Sequence, residues 1–521
     1  MQLGQAGAAY SSADRLRRCA CQFPHDRGAY RDSFDHRRHS GGSAMKRAAR
    51  LTAISFGTLL SACQMVGPDY QVPQDGAINR PDLQGELAGR SVNAVSAPVP
   101  AHWWRLYQDP RLDQLVRQAM ASNTDLRVAA ANLQRSRYQN AEAEAAGGFT
   151  SGAKIGAQRV QESGEAYLLT DKVPVSNVGD VGLTTAYQFD LFGTLQRGIE
   201  AAQANVDANQ AAVDTARITV VADVVRAYTQ ICAANEELDI ARESLDLQQQ
   251  SLTLNRRLRD AGRGDETQVT RSQTQFKSLR AEMPRYEARR QAAMFRLSML
   301  LAKPVDQLPT GVSTCNALPH IAQVMPVGDG AALLKRRPDV RQAERHLALS
   351  TAEIGVATGE LYPDISIGAS IGTTGLIENL GKPAANRWGF GPLLNWTVPS
   401  NGSRARIHQA EASAQAALAR FDGVVLNAIR ETQTGLAQYT ALLDRRDALK
   451  EAEQSAKEAA DQTHRFYQAG RASFLADLQA TRTYTDVRAQ MAEANTEVAM
   501  GQINLFLALG GGWEKDEMAE K

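Results

Sequence analysis

The chain carries one structural plan twice, and each copy contains a helix too long for any compact domain. LRDAGRGDETQVTRSQTQ at 258–275 resembles FYQAGRASFLADLQATRT at 466–483, with Ala261-Gly262-Arg263 aligned on Ala469-Gly470-Arg471. The same register aligns Ala202 with Ala410, Ala204 with Ala412 and Asp223 with Glu431. Upstream, NTDLRVAAANL (123–133) resembles RPDVRQAERHL (337–347) at a slightly different offset. Two repeats therefore occupy about 101–310 and 329–513. This is a duplicated unit rather than a solenoid, which needs three or more repeats for stability.

Each half reads as a helix, two strands, a very long helix and a further helix. In the second half the long helix follows Pro399-Ser400-Asn401-Gly402. Its apolar positions are Ala414, Leu418, Phe421, Val425, Ile429, Leu436, Tyr439 and Leu443, spaced by threes, fours and sevens as in a coiled coil. In the first half Val206, Val213 and Val220 keep a seven-residue period. Ala with Gln, Glu, Arg and Leu favours such helices, while aromatics are only 6% of the chain. Continued to about Gly262 and Gly470, each rod reaches roughly 100 Å at about 1.5 Å per residue. Those glycines sit where the chain must reverse into the next helix.

Four segments alternate with period two: about 150–160, 180–190, 364–372 and 387–398. Ala153, Ile155 and Ala157 share one face of the first; Val181, Leu183, Tyr187 and Phe189 of the second. Ile365, Ile367, Ala369 and Ile371 do so in the third, and Trp388, Phe390, Leu394, Trp396 and Val398 in the fourth. The opposite faces are small and hydrophilic. A soluble sheet with one buried face gives this pattern, and so does a transmembrane barrel, apolar outside and polar inside, with Tyr187, Phe189, Trp388, Phe390 and Trp396 as its aromatics. The barrel fits better, because the N-terminus directs the chain to a membrane. Four strands close no barrel, and open edges are not tolerated in lipid. The chain must then oligomerise, two copies giving eight strands and three giving twelve; sequence physics does not choose between them.

Residues 1–44 are polar, rich in Arg, His and Ser, and aperiodic. Met45-Lys46-Arg47 and Arg50 then precede the apolar run LTAISFGTLL and the small residues before Cys63. This is a secretory signal peptide over 45–62, too short to span a membrane. Met45 is the expected initiator, which makes 1–44 a mis-annotated extension and removes Cys19 and Cys21. Leu60-Ser61-Ala62-Cys63 resembles a bacterial lipobox, which implies cleavage before Cys63 and its acylation, with Gln64 compatible with outer-membrane sorting. Residues 63–100 then form an extended lipid-anchored segment, 311–328 a linker and 514–521 a charged tail. No later stretch approaches 18 apolar residues, so no membrane-spanning helix is expected.

Several separate motifs, in order, resemble the lipoprotein branch of the TolC-like outer-membrane efflux factors. They are VGPDY (66–70), FDLFGTLQRGIEAA (189–202), LLKRRPDVRQAERHLALSTAEIGVATGELYPDISIGASIG (333–372), WGFGPLLNWTVPSNGSRAR (388–406) and INLFLALGGGW (503–513). The resemblance covers about 63–513. It implies a mainly α fold with a membrane β part: a homotrimer with a shared twelve-strand barrel and a periplasmic α-helical barrel. It also implies a periplasmic adaptor, an inner-membrane RND-type transporter and small-molecule efflux through the outer membrane, with no cofactor beyond lipid on Cys63. Protein secretion through the same kind of duct, or a non-conducting lipid-anchored scaffold, are the alternatives.

The helix-pair turns at Gly262-Arg263 and Gly470 mark the end where this family constricts. The candidate gate is the second turn: Arg471 and Asp477, with Arg465 and Asp461, linking neighbours by opposite charges. Ala476, Gln479 and Gln268 stand where the family often has acids, so an aspartate ring is not carried over. Arg336, Arg337, Pro338 and Asp339 read as structural, Pro338 in a helix's first turn and Asp339 at its positive end. Cys232 and Cys315 stay open as a disulfide or two isolated thiols, since nothing fixes their distance. GASIG (368–372) fits a nucleophile-elbow pattern but lies inside an alternating strand. His408 and His464 read as solvated helical residues. No H-E-x-x-H, P-loop or dinucleotide fingerprint occurs, the cysteines show no paired metal-type spacing, and a net charge of +1 gives no footprint for nucleic acid.

Overall fold

The computed structural model describes residues 65–511, except 86, 88–93, 96, 322–323 and 400. Cys63, the signal segment and the charged tail lie outside the described residues.

The first repeat comprises α1 (Pro110–Ser122), α2 (Thr124–Ala146), β1 (Phe149–Val160), β2 (Ser176–Phe189), α3 (Thr194–Asp260) and α4 (Glu266–Leu300). The second comprises α5 (Gly330–Arg336), α6 (Pro338–Gly359), β3 (Asp364–Leu376), β4 (Asn386–Asn395), α7 (Asn401–Gln468) and α8 (Phe474–Ala508). The rods α3 and α7 hold 67 and 68 residues, about 100 Å each at about 1.5 Å per residue. A short helix, α1 or α5, precedes the first helix read from the sequence in each half.

The rods run the full length of the helical body, flanked by shorter helices at two levels. Near the sheet, α2 packs on α3 and α6 on both α3 and α7. Farther away, α4 packs on α3, and α8 on α7 and α3. The shorter helices meet end to end. At the first junction Asn123 Nδ2 donates to Leu300 O at 3.0 Å and Ser122 Oγ to Leu301 O at 2.8 Å. At the second Arg337 Nη1 donates to Ala508 O at 2.8 Å and Arg336 Nη2 to Leu509 O at 2.6 Å. These bonds satisfy carbonyls that a helix C-terminus leaves open, and the guanidinium charges also suit its negative end. Arg337 is buried and bridges Asp339 at 2.6 Å and Glu431 at 2.9 Å. The RRPD motif is thus the clamp between α6, α7 and α8.

The apolar core sits around these junctions, midway along the rods. Trp103 stacks on Phe506 with centroids 4.6 Å apart, and Leu112, Leu115, Val224, Val225, Phe421 and Val425 are buried in the same cluster. Cys232 on α3 is bonded to Cys315 in the segment after α4. Asn235 Nδ2 donates to Ser313 O at 3.0 Å and Cys315 O at 2.6 Å, holding the same segment.

Candidate functional site

The sheet has the order β1-β2-β3-β4, antiparallel throughout, so β1 and β4 are its open edges. The register sorts side chains as the alternation predicts. Ile155 pairs with Val181, Leu183 with Ile371 and Ile371 with Trp388 on one face. Thr184 pairs with Ser370 and Ser370 with Gly389 on the other. On the apolar face Phe149 is 76%, Ile155 81% and Trp388 83% exposed. A contiguous apolar surface of this kind on a sheet marks a face made for a non-aqueous neighbour. The small-residue side encloses an open hollow of about 600 Å³ lined by Thr150, Gly152, Thr184, Gly368 and Gly391 among others.

The aromatics divide between the two ends of the sheet. Tyr187 lies 5.0 Å from Phe149 and 5.3 Å from Phe189 at the end next to the helices. Trp388 stands near the hairpin end and Phe390 between them on β4. Trp396 and Val398 depart from the expected strand, because β4 ends at Asn395. Trp396 instead donates its Nε1–H to Leu361 O at 3.2 Å, beside the stacked Phe192 and Tyr362. Phe149 completes the helix-side aromatics and stands one residue before the strand expected from alternation; its aromatic ring at a strand end was the available signal. Ser370, the would-be nucleophile of GASIG, lies inside β3 with no helix following it directly.

The segment after Cys63 docks at this same end. Val66 N donates to Phe192 O at 3.0 Å. Arg197, 1% exposed, donates to Val66 O at 3.0 Å and pairs with Asp69 at 2.6 Å and Glu200 at 2.7 Å. Gly67, at φ +80°, lies so close to α6 that a Cβ there would come within 2.4 Å of Gly355 Cα. Arg197 belongs to FDLFGTLQRGIEAA, yet nothing local in the sequence ties it to VGPDY.

The far ends of the rods turn by the same device in both repeats. Gly262 has φ +68° and Gly470 φ +71°, and a Cβ at either would meet open space, so backbone conformation rather than room favours glycine. Arg263 N donates to Leu258 O and Arg471 N to Phe466 O, each at 2.8 Å, closing a Schellman-type turn. Asp265 caps α4 through Gln268 N, and Ser473 caps α8 through Ala476 N.

At the second tip the candidate gate residues separate. Asp461, Arg465, Gly470 and Arg471 are exposed, whereas Asp477 is 6% exposed. Arg465 donates to Asp461 O at 3.2 Å rather than to its carboxylate. The Arg471 guanidinium lies 5.7 Å from the centroid of the Phe466 ring. Asp477 faces His464, whose Nδ1 is 3.2 Å from Oδ1, and Gln468 Nε2 approaches His464 Nε2 at 2.8 Å. His464 is exposed on α7, as expected, and also bridges to α8 through Asp477. Their separation of 13 residues across a turn hides the pair from helical spacing. His408 pairs locally with Glu411 at 2.9 Å.

The family model described as "Outer membrane efflux protein" matches residues 115–303 and 331–511. The chain is 29% identical over 471 residues to "Nodulation protein T" of Rhizobium leguminosarum bv. trifolii, covering 90% of this chain and 98% of that one. It is 26% identical over 474 residues to "Probable efflux pump outer membrane protein TtgC" of Pseudomonas putida, covering 87% and 94%. Among solved structures, the outer-membrane channel OprN superposes with a TM-score of 0.79 at 32% identity, over 86% of this chain and 99% of that one. The chain accordingly belongs to the outer membrane efflux protein family, as an outer-membrane channel component of efflux.

Proposed function

We propose that three copies of the chain join β1 of one to β4 of the next, closing a twelve-strand barrel above a shared helical tunnel that carries small molecules outward. The carrying observation is the four-stranded sheet itself: one exposed apolar face, one small hydrophilic face and two unpaired edges. Backbone groups on an open edge find no partner in hydrocarbon, so the edges must be paired by other copies. Eight strands give an interior that side chains nearly fill, whereas twelve leave a wider lumen. A periplasmic adaptor and an inner-membrane RND-type transporter complete the assembly; this part rests on the similarity to efflux-pump components such as TtgC.

Cys63 carries the lipid in this reading. Its support is the docking of Val66 and Gly67 by Arg197 and Phe192, which holds the chain three residues after Cys63 at the aromatic end of the sheet. The exposed charges of the second tip, Arg465, Arg471 and Asp461, meet those of neighbouring copies and keep the resting tunnel shut, with Asp477 acting through His464 to fix the turn that presents them. Native mass spectrometry of the detergent-extracted protein tests the assembly. A trimer with acylated Cys63 is expected; a monomer that stays monomeric in lipid contradicts it.

A further inference from the structure

The four strands carry five charged residues, Lys154, Arg159, Asp180, Asp364 and Arg387. Three of them converge. Lys154 on β1, Asp180 on β2, Thr374 on β3 and Arg387 on β4 form one cluster, with one residue from every strand. Asp180 Oδ1 accepts from Thr374 Oγ1 at 2.6 Å and from Arg387 Nη2 at 2.9 Å. Its Oδ2 lies 3.5 Å from Lys154 Nζ. Arg387 Nε donates to Thr374 Oγ1 at 2.8 Å.

The cluster lies on the small-residue face, by register: Lys154 is opposite Gly182, Gly182 opposite Gly372 and Gly372 opposite Arg387. Those glycines make room for it. A Cβ at Gly182 would stand 2.8 Å from Arg387 Nη2, and one at Gly372 would stand 3.3 Å from Arg387 Cζ. The guanidinium therefore lies flat across β3 and reaches β2. The cluster sits in the half of the sheet nearer the hairpins, since Arg387 is the second residue of β4 and Thr374 is two residues from the end of β3. Asp364, at the helix end of the same face, is occupied by Gln188 Nε2 at 3.1 Å.

Two cations and one anion leave one positive charge per cluster. From this geometry we infer that the outer half of the lumen carries a cation-rich belt that favours anions and retards cations passing through it. The inference rests on the trimeric barrel proposed above, which repeats the cluster three times around one lumen. Rings of Lys and Arg make pores anion-preferring because the surplus charge raises the local concentration of the opposite ion. Asp180 orients the two cations without neutralising both.

The test is the reversal potential of the purified protein in a planar lipid bilayer under a KCl gradient, with Asp477→Asn as the common background that loosens the tip. Lys154→Gln, whose side chain is 80% exposed, leaves the sheet intact and removes the surplus; it lowers the chloride-to-potassium permeability ratio by about twofold or more. Asp180→Asn adds to the surplus and raises the ratio. Both shifts shrink as KCl rises from about 0.1 M to about 1 M, where the screening length falls from about 10 Å to about 3 Å. A purely structural brace does not move the ratio in opposite directions for the two variants. Intact currents with unshifted ratios overturn the belt alone; a protein that stays monomeric in lipid and passes no current in the tip-loosened background overturns the barrel reading as well.

Discussion

The Cys232–Cys315 bond closes a loop of 83 residues, comprising the second part of α3, the tip turn and all of α4. The chain-entropy relation for a loop of that length gives about 15 cal/mol/K, or about 4.5 kcal/mol at 25 °C. That figure is an upper value, because α3 and α4 pack along each other and Asn235 holds the Cys315 segment in the folded state. Spread over the roughly 2.1 cal/mol/K per residue that a unit of this length gains on unfolding, it lowers Tm by about 5 °C or less. The perturbation is Cys232→Ala with Cys315→Ala, alongside reduction of the wild type. Circular dichroism melts in detergent give Tm, and hydrogen exchange gives the local effect, expected at residues 311–315 and the facing turns of α3. Alkylation of the denatured, unreduced chain counts free thiols, and the oxidising compartment predicts none at these positions. Two labelled thiols in freshly prepared protein, or a double variant matching the wild type in both melt and exchange, exclude a stabilising Cys232–Cys315 bond.

Arg337→Ala leaves Asp339, Glu431 and the Ala508 carbonyl without their shared cation, and a loss of about 2–3 kcal/mol is expected once the partial exposure of the carboxylates is discounted. Arg337→Lys recovers little of it, since an ammonium makes no bidentate contact; unfolding of the two variants checks both statements. Asp477→Asn weakens the bridge from α8 to His464 and raises both tip leak and sensitivity to large antibiotics; unchanged leak removes Asp477 from the gate. Glu236 is held above the usual carboxylate range by burial and by the neighbouring Glu237, against the pull of Arg488. A carboxyl raised on folding favours the folded state most when protonated, below its unfolded pKa, and that contribution is lost as pH rises through the folded value. Glu236→Gln therefore stabilises at neutral pH, on the order of 1 kcal/mol or less. The gain disappears as pH falls through the carboxylate range; a gain independent of pH contradicts it.

The strands and rods were legible because their periods survive any packing. Ile365, Ile367 and Ile371 announce a strand face, and Leu436, Tyr439 and Leu443 a helical seam, before any partner is known. The strand ends were not. Thr373 and Gly375 continue the outward face of β3 without apolar contrast, whereas Trp396 and Val398 keep the contrast after the ladder has ended. The core near Trp103 and Phe506 has no period, because it is assembled from helix ends and connecting segments far apart in sequence. Pairs across long separations were equally hidden. Arg197 with Asp69, Arg387 with Asp180, and Cys232 with Cys315 each require the register of elements that the sequence leaves undetermined. The turn glycines at 262 and 470 were readable, since a helix reversal asks for a left-handed residue whatever surrounds it.

Single-particle electron microscopy of the detergent-solubilised protein distinguishes a trimeric duct from a closed bundle. The expected particle is a three-fold tube with twelve strands at one end, β1 of each copy paired with β4 of the next, and a hollow helical trunk on the order of 100 Å long. A compact monomer, or a helical bundle without a lumen and with the apolar sheet face buried inside it, rules out the trimeric duct.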